Sequence, residues 1–272
     1  MLLAFILFLS APTDTLPYRL QEPSHIINLS SDELKEISGL SPTDRPGVFC
    51  AIADEKGEIY FIDILGGGAI LSRVLFRDKG DFESVEWRPE CLYAVKSNGD
   101  VYEIGKWESD SPRSNYHDTH LEKVHDVEGL GYDSQRKALL LACKGNPEND
   151  SMRNVYAFPL KNKKLDKDPV YRIDPQEVNR LVPYLEEEKQ NFFSPSGIAV
   201  HPITGDVYVL SSALKRLVVL NYNDGTIRYA VRLDKKILPQ PEGISFDQEG
   251  NLYLSSEGKK GEGQVLRFDV QK

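Results

Sequence analysis

The chain has 272 residues, 40% of them hydrophobic and 28% charged, enough apolar material for a sizeable core in a soluble globular protein. Its net charge is −9. A duplex-binding surface needs a basic excess, so this balance argues against nucleic acid as a partner and suits a cation or cationic ligand better.

The N-terminus opens with the apolar run LLAFILFLS at 2–10. It is too short to span a bilayer as a helix. It matches the apolar core of a secretory signal, followed by the small residues Ser10 and Ala11, although no Lys or Arg precedes it. A hydrophobic N-terminal strand is the competing reading. Export to the periplasm or the extracellular space is expected. Residues 1–17 are then a signal or N-terminal segment, and 18–272 form one monomeric domain with no membrane span in the mature chain. The cysteines, Cys50, Cys91 and Cys143, lie in apolar stretches with no CxxC pair. They read as buried free thiols rather than as disulfides or a zinc site.

A repeat organises everything downstream. The eight residues DVEGLGYD at 126–133 recur in pattern as QPEGISFD at 240–247, each with Glu before Gly and a hydrophobic residue. The column they share runs Ser38-Gly39-Leu40, Glu83-Ser84-Val85, Glu128-Gly129-Leu130, Ser196-Gly197-Ile198 and Glu242-Gly243-Ile244, at spacings of 45, 45, 68 and 46. Periods near 45 belong to propeller blades, each a four-stranded antiparallel sheet.

In chain order the blade interiors agree. After each column comes a second strand: VFCAIAD, CLYAVKS, ALLLACK, DVYVLSS and NLYLSSE. A third follows: EIYFIDI, DVYEIG, NVYAFPL, RLVVLNY and QVLRFDV. Fourth strands are visible at 70–76 and 227–233. The last repeat stops after its third strand, so its fourth is expected from HIINLS at 25–30, closing the ring. The fold is therefore an all-β, five-bladed propeller. A sixth blade within 144–192 would lack its own column.

The long interval carries extra residues in 161–193. There Asp174-Pro175-Gln176-Glu177 reads as a helix start, and Val178, Leu181, Val182 and Leu185 follow at helical spacing until Pro183 intervenes. One short or kinked helix is expected, lying over a gap between blades.

Three columns should open onto one face of the disc. The first is Ser38, Glu83, Glu128, Ser196 and Glu242. The second, two residues earlier, is Glu36, Asp81, Asp126, Ser194 and Gln240. The third ends the second strands: Asp54-Glu55, Ser97-Asn98, Cys143-Lys144, Ser211-Ser212 and Ser256-Glu257. Oxygen donors without His suit a hard cation, and calcium tolerates irregular geometry better than magnesium does. Glutamates that merely cap strand ends would read the same way, and the columns alone leave both open.

The motifs EISGLS, ADEKGEIY, DFESVEW, VEGLGYD, PSGIAVHP, QPEGISFD and NLYLSSEG, spread over about 34–270, resemble those of the SdiA-regulated (YjiK-like) family. The resemblance implies a five-bladed propeller distantly related to NHL-repeat proteins, with a calcium site and a bacterial, exported setting. It brings no reaction with it. Its acidic motif positions fall on Glu36, Glu55, Glu83, Glu128, Glu242 and Glu257. The chain departs at Ser84, where the family's motif has Gly.

Other chemistry is thin. His117, His120 and His125 lack the HExxH spacing and read as exposed or hydrogen-bonded. Ser194 and Ser196 lack a GxSxG elbow, the Gly66–Gly68 run is a turn rather than a phosphate loop, and KNKKLDK at 161–167 is a solvated turn. The absence of a nucleophile–base pair weighs against catalysis. The first expectation is a calcium-binding module for an unidentified small-molecule or protein ligand. The alternative is a metal-dependent hydrolase of lactonase or phytase type, with Asn98 as orienter and Lys144 as electrophile or base.

Overall fold

Each run expected as a strand forms one, because each is rich in β-branched, aromatic and aliphatic residues and is bounded by turn formers. The computed structural model describes residues 16–148, 151–188, 192–258 and 261–271. The apolar run at 2–10 lies outside them.

After β1 (His25–Leu29), the first blade is β2 (Ile37–Pro42), β3 (Val48–Ala53), β4 (Gly57–Asp63) and β5 (Ala69–Arg77). The second is β6 (Phe82–Trp87), β7 (Cys91–Lys96), β8 (Val101–Gly105) and β9 (Arg113–His117). The third is β10 (Val127–Asp133), β11 (Ala138–Cys143), β12 (Arg153–Pro159) and β13 (Tyr171–Ile173). The fourth is β14 (Gly197–Val200), β15 (Val207–Ser211), β16 (Arg216–Leu220) and β17 (Ile227–Arg232). β18 (Pro241–Phe246), β19 (Leu252–Ser256) and β20 (Gly263–Phe268) begin the fifth. β1 completes it, antiparallel to β20 with Ile27 opposite Val265. The five-bladed propeller and its N-terminal closure are thus present. Among its described residues, the 144–192 stretch supplies the outer strands of blade three and the insertion, and no further blade.

The core is divided into five apolar layers, one between each pair of neighbouring blades. Ile52 meets Val85, Tyr93 meets the Leu130 layer, and Leu140 lies with Ile198 and Val209. Leu210 lies with Ile244 and Leu254, and Val265 with Leu40 and Phe49.

The glycine of the repeat is a packing device. A Cβ on Gly39 would stand 2.6 Å from the Ser84 Cα, and one on Gly197 would stand 2.6 Å from the Glu242 carbonyl oxygen. Inner strands of adjacent blades approach too closely there for any side chain.

In the insertion, Asp174 caps α1 (Pro175–Leu181) by accepting the Gln176 N–H at 2.8 Å. The expected apolar stripe is not buried as a unit. Val178 is 1% exposed, whereas Leu181 and Leu185 remain at 53% and 42%, because the helix ends before Pro183 and never presents its fourth position. The insertion is held instead by charge: Glu188 pairs with fully buried Arg216 at 2.8 Å and also with Arg232. All three cysteines are buried and free.

Candidate functional site at the acidic mouth

Four of the five inner strands carry a β-bulge at the repeat's first column, and β14 pairs in unbroken register. Ile37 pairs with Ala53 and Gly39 with Ile52, leaving Ser38 unpaired between them. Glu83 and Glu128 are left over in the same way, and the irregularity in β18 spans Glu242 and Gly243. A bulge re-aims the extra residue's side chain. Here it sets three glutamates, from three blades, around one end of the channel.

Backbone links hold that end together. The Ser97 N–H donates to the Asp81 carbonyl (3.1 Å), Lys144 N–H to Asp126 (2.8 Å) and Glu257 N–H to Gln240 (3.0 Å), tying the third column to the second within blades two, three and five. Phe82 N–H reaches the Asp54 carbonyl (3.0 Å) and Val127 N–H that of Ser97 (2.8 Å), stapling blade two to blade one and blade three to blade two. Asp126 sits in the left-handed region at φ 50°, a conformation an Asp tolerates better than most residues. The three columns therefore do meet at one face.

The carboxylates fall into two groups. Glu83, Glu128 and Glu242 line the channel, half-buried, and share a field with Asp81, Asp126 and Lys144. Burial, then repulsion from Glu128 and Asp81, pushes the Glu83 carboxyl up to about 8. Burial pushes Glu128 and Glu242 up to about 7, even though Lys144 favours ionised Glu128 and the Ser212 hydroxyl hydrogen-bonds Glu242. The Lys144 ammonium is ion-paired with Glu128. Burial works against its charge, but Glu128 and Glu242 outweigh it and raise the Lys144 pKa. Glu257 lies beside Glu242 and accepts a hydrogen bond from the Gln240 amide. Glu36 and Glu55 are exposed and line a separate hollow of about 360 Å³ with Asp54, whose carboxyl is raised by burial and then by those two neighbours. Among the described residues, no three His, Cys, Asp or Glu side chains already converge into a metal-sized group. The channel set is spread because each member belongs to a different blade. Its donors are all oxygen, three carboxylates and a hydroxyl, and that chemistry fits a hard cation.

The remaining sequence candidates have local roles. Asn98 donates to Asp100 at 2.7 Å within the β7–β8 turn and takes no place in the ring. His117 contacts Glu103 at 3.0 Å, His125 accepts the Glu122 N–H at 2.9 Å, and His120 is exposed. Ser196 donates to the Pro241 carbonyl at 3.1 Å and so ties blade four to blade five. Sequence reasoning missed Glu86, which stands on β6 three residues beyond Glu83. Burial pushes it up to about 7 against the pull of Arg88 and Ser41. No second repeat column marks that position. Among the described residues, no helix is long and apolar enough to cross a membrane.

Solved propellers share this architecture. Luciferin-regenerating enzyme is similar with TM-score 0.53 and 14% identity, over 88% of this chain and 79% of that one. The PQQ-bound aldose sugar dehydrogenase of Streptomyces coelicolor gives 0.55 and 13%, over 92% and 98%. Myxococcus xanthus glutaminyl cyclase gives 0.63 and 10%, over 92% and 96%. At such identities the likeness is one of fold alone. No curated protein matches the sequence. The SdiA-regulated family model matches residues 19–259, with the bulged glutamates, the blade-packing glycines and the closing strand all inside that span, and the chain belongs to the SdiA-regulated family.

Proposed function

We propose that this protein is an exported, non-enzymatic binding propeller. It takes up a divalent cation, calcium by its donor chemistry, at the acidic mouth and presents that face to a small-molecule or protein ligand. One observation carries the reading: the ammonium of Lys144, ion-paired with Glu128, is the positive charge whose field Glu83, Glu128 and Glu242 share. With those carboxylates ionised the one ammonium is outnumbered, and Asp81 and Asp126 in the same field add to the negative excess that a divalent ion offsets. Glu83, Glu128 and Glu242 would hold the ion, with the Ser212 hydroxyl orienting Glu242. Calcium's ~6–8 oxygen ligands at flexible distances suit donors that come from separate blades. The apolar run at 2–10 supports export.

A metal-dependent hydrolase is the second reading, favoured by the ammonium beside the ring, which would polarise a carbonyl or phosphoryl oxygen. Lys144 is held protonated and so is not a base, and the Asn98 amide is committed to its turn.

Melting the full chain after chelation, with and without calcium, magnesium or manganese, tests both. Selective binding to the folded state raises the midpoint. A calcium-dependent rise that is lost in Glu128→Gln and Glu242→Gln supports the module. Turnover of lactones or phosphate esters by the calcium-loaded chain replaces it with the hydrolase. No shift with any ion leaves the glutamates as strand caps and removes both readings.

A further inference from the structure

The far side of the disc carries a different kind of site. A cavity of about 460 Å³ lies between blades one and two. Its walls come from the β2–β3 turn, β5, the end of β6 and the β8–β9 turn. Those turns stand at the strand ends opposite the acidic mouth, so the two sites share no residue. The volume falls within the ~300–1,000 Å³ common for small-ligand pockets.

The chain has two tryptophans, and both line this cavity. Trp107 lies flat on Phe61, with ring centroids 5.0 Å apart and planes at 18°, so one face of its indole is fixed while the residue stays half-exposed. Trp87 is 8% exposed, and its indole N–H has no acceptor among the described residues. Buried indole N–H groups normally find a partner, so this one marks a missing acceptor.

The rim carries both signs of charge. Asp44, Glu108, Asp110 and Arg45 line the cavity, and among the described residues their side chains make no ion pair or hydrogen bond, while Arg73 lines it paired to Glu33. An ion of either sign would meet a like charge there. A neutral ligand that both donates and accepts would use both kinds: carboxylates accept from hydroxyls, and the guanidinium donates to them. An aromatic wall adds a flat apolar surface for a ring's C–H face.

We propose that this cleft binds a neutral saccharide, its ring laid against Trp107 and its hydroxyls bonded to Asp44, Asp110 and Arg45, with Trp87 as the innermost donor. The site is independent of the acidic mouth and of any cation there.

The protein supplies its own reporter, because all of its tryptophan fluorescence arises at this cleft. The full chain is titrated with neutral hexoses, N-acetylhexosamines and their disaccharides, with choline, arginine and sulfate as controls. The expected result is a saturable change in emission with at least one sugar and none with the ions. By calorimetry, Trp107→Ala weakens that sugar about tenfold or more through loss of the stacking surface. Asp110→Asn weakens it several-fold at an unchanged melting temperature. Glu128→Gln, at the other mouth, leaves it intact. No saturable response to any sugar, a response to choline or arginine instead, or binding that survives both cleft variants would overturn the proposal.

Discussion

Lys144, one residue past the end of β11, is ion-paired with Glu128, the bulged residue of β10 in the same blade. The pair is half-sheltered: the lysine side chain keeps 30% of its exposure and the glutamate 13%. It offsets one of three neighbouring carboxylates, while Glu83 and Glu242 each still feel the charge of Glu128.

Replacing Lys144 by Met should therefore have opposite effects on fold and site. Without cation, stability falls by roughly 1–3 kcal/mol, less than for a fully buried pair because water still reaches the ammonium. Calcium affinity rises, since the ring gains a net negative charge. Urea melts in chelator and in calcium read both effects, and equal losses in the two conditions would contradict the charge argument.

The raised carboxyls make stability depend on pH. In the unfolded chain a Glu titrates near 4.5, whereas Glu83 is pushed to about 8 and Glu128 and Glu242 to about 7 when folded. Between those values the folded state holds the extra protons, so unfolded-minus-native proton binding is negative and stability falls as pH rises. In chelator the melting temperature should drop between about pH 4.5 and about pH 8. Calcium should restore it at the alkaline end, with protons released on binding. Glu83→Gln should flatten the slope.

Close approach, not backbone strain, fixes the repeat's glycines. Gly39→Ala and Gly197→Ala push a methyl into the next inner strand and should each cost roughly 1–3 kcal/mol. Gly105→Ala is the control, since a Cβ there meets nothing within 4 Å, and its effect should stay within about 0.5 kcal/mol. Chemical denaturation of the three variants separates the cases.

Ring closure rests on β1. Leu29 is fully buried among residues of blades five and one, so Leu29→Ala should cost roughly 2–4 kcal/mol. A chain beginning after Leu29 leaves β20 as an open edge and should lose cooperative unfolding, as read by calorimetry.

Glu188 anchors the insertion. Burial disfavours its charge, but Arg216 and Arg232 more than compensate and hold its carboxyl down to about 2. Glu188→Ala leaves the buried Arg216 guanidinium without its carboxylate and should cost roughly 3 kcal/mol. Limited proteolysis should then cut within 174–188 first, and a protected insertion would show that packing, not charge, holds it.

Much of this molecule is written locally. The 45-residue period, the β-forming runs and the unpaired last repeat state the blade count, the strand order and the closing strand, because strand propensity and turn chemistry act over a few residues. The column Glu83, Glu128 and Glu242 is equally legible as a ring. The sequence does not say that a bulge aims those side chains, that Lys144 sits among them, or that Glu36 and Glu55 turn to a separate hollow. Those outcomes depend on register and on distances between blades. The same holds for the cleft beside Trp87 and Trp107: both stand on blade two, and only packing against blade one sets Phe61, Asp44 and Arg45 opposite them. Local pattern chose the elements. Tertiary packing chose which charges share a field, since electrostatic energy follows separation in space and not in sequence.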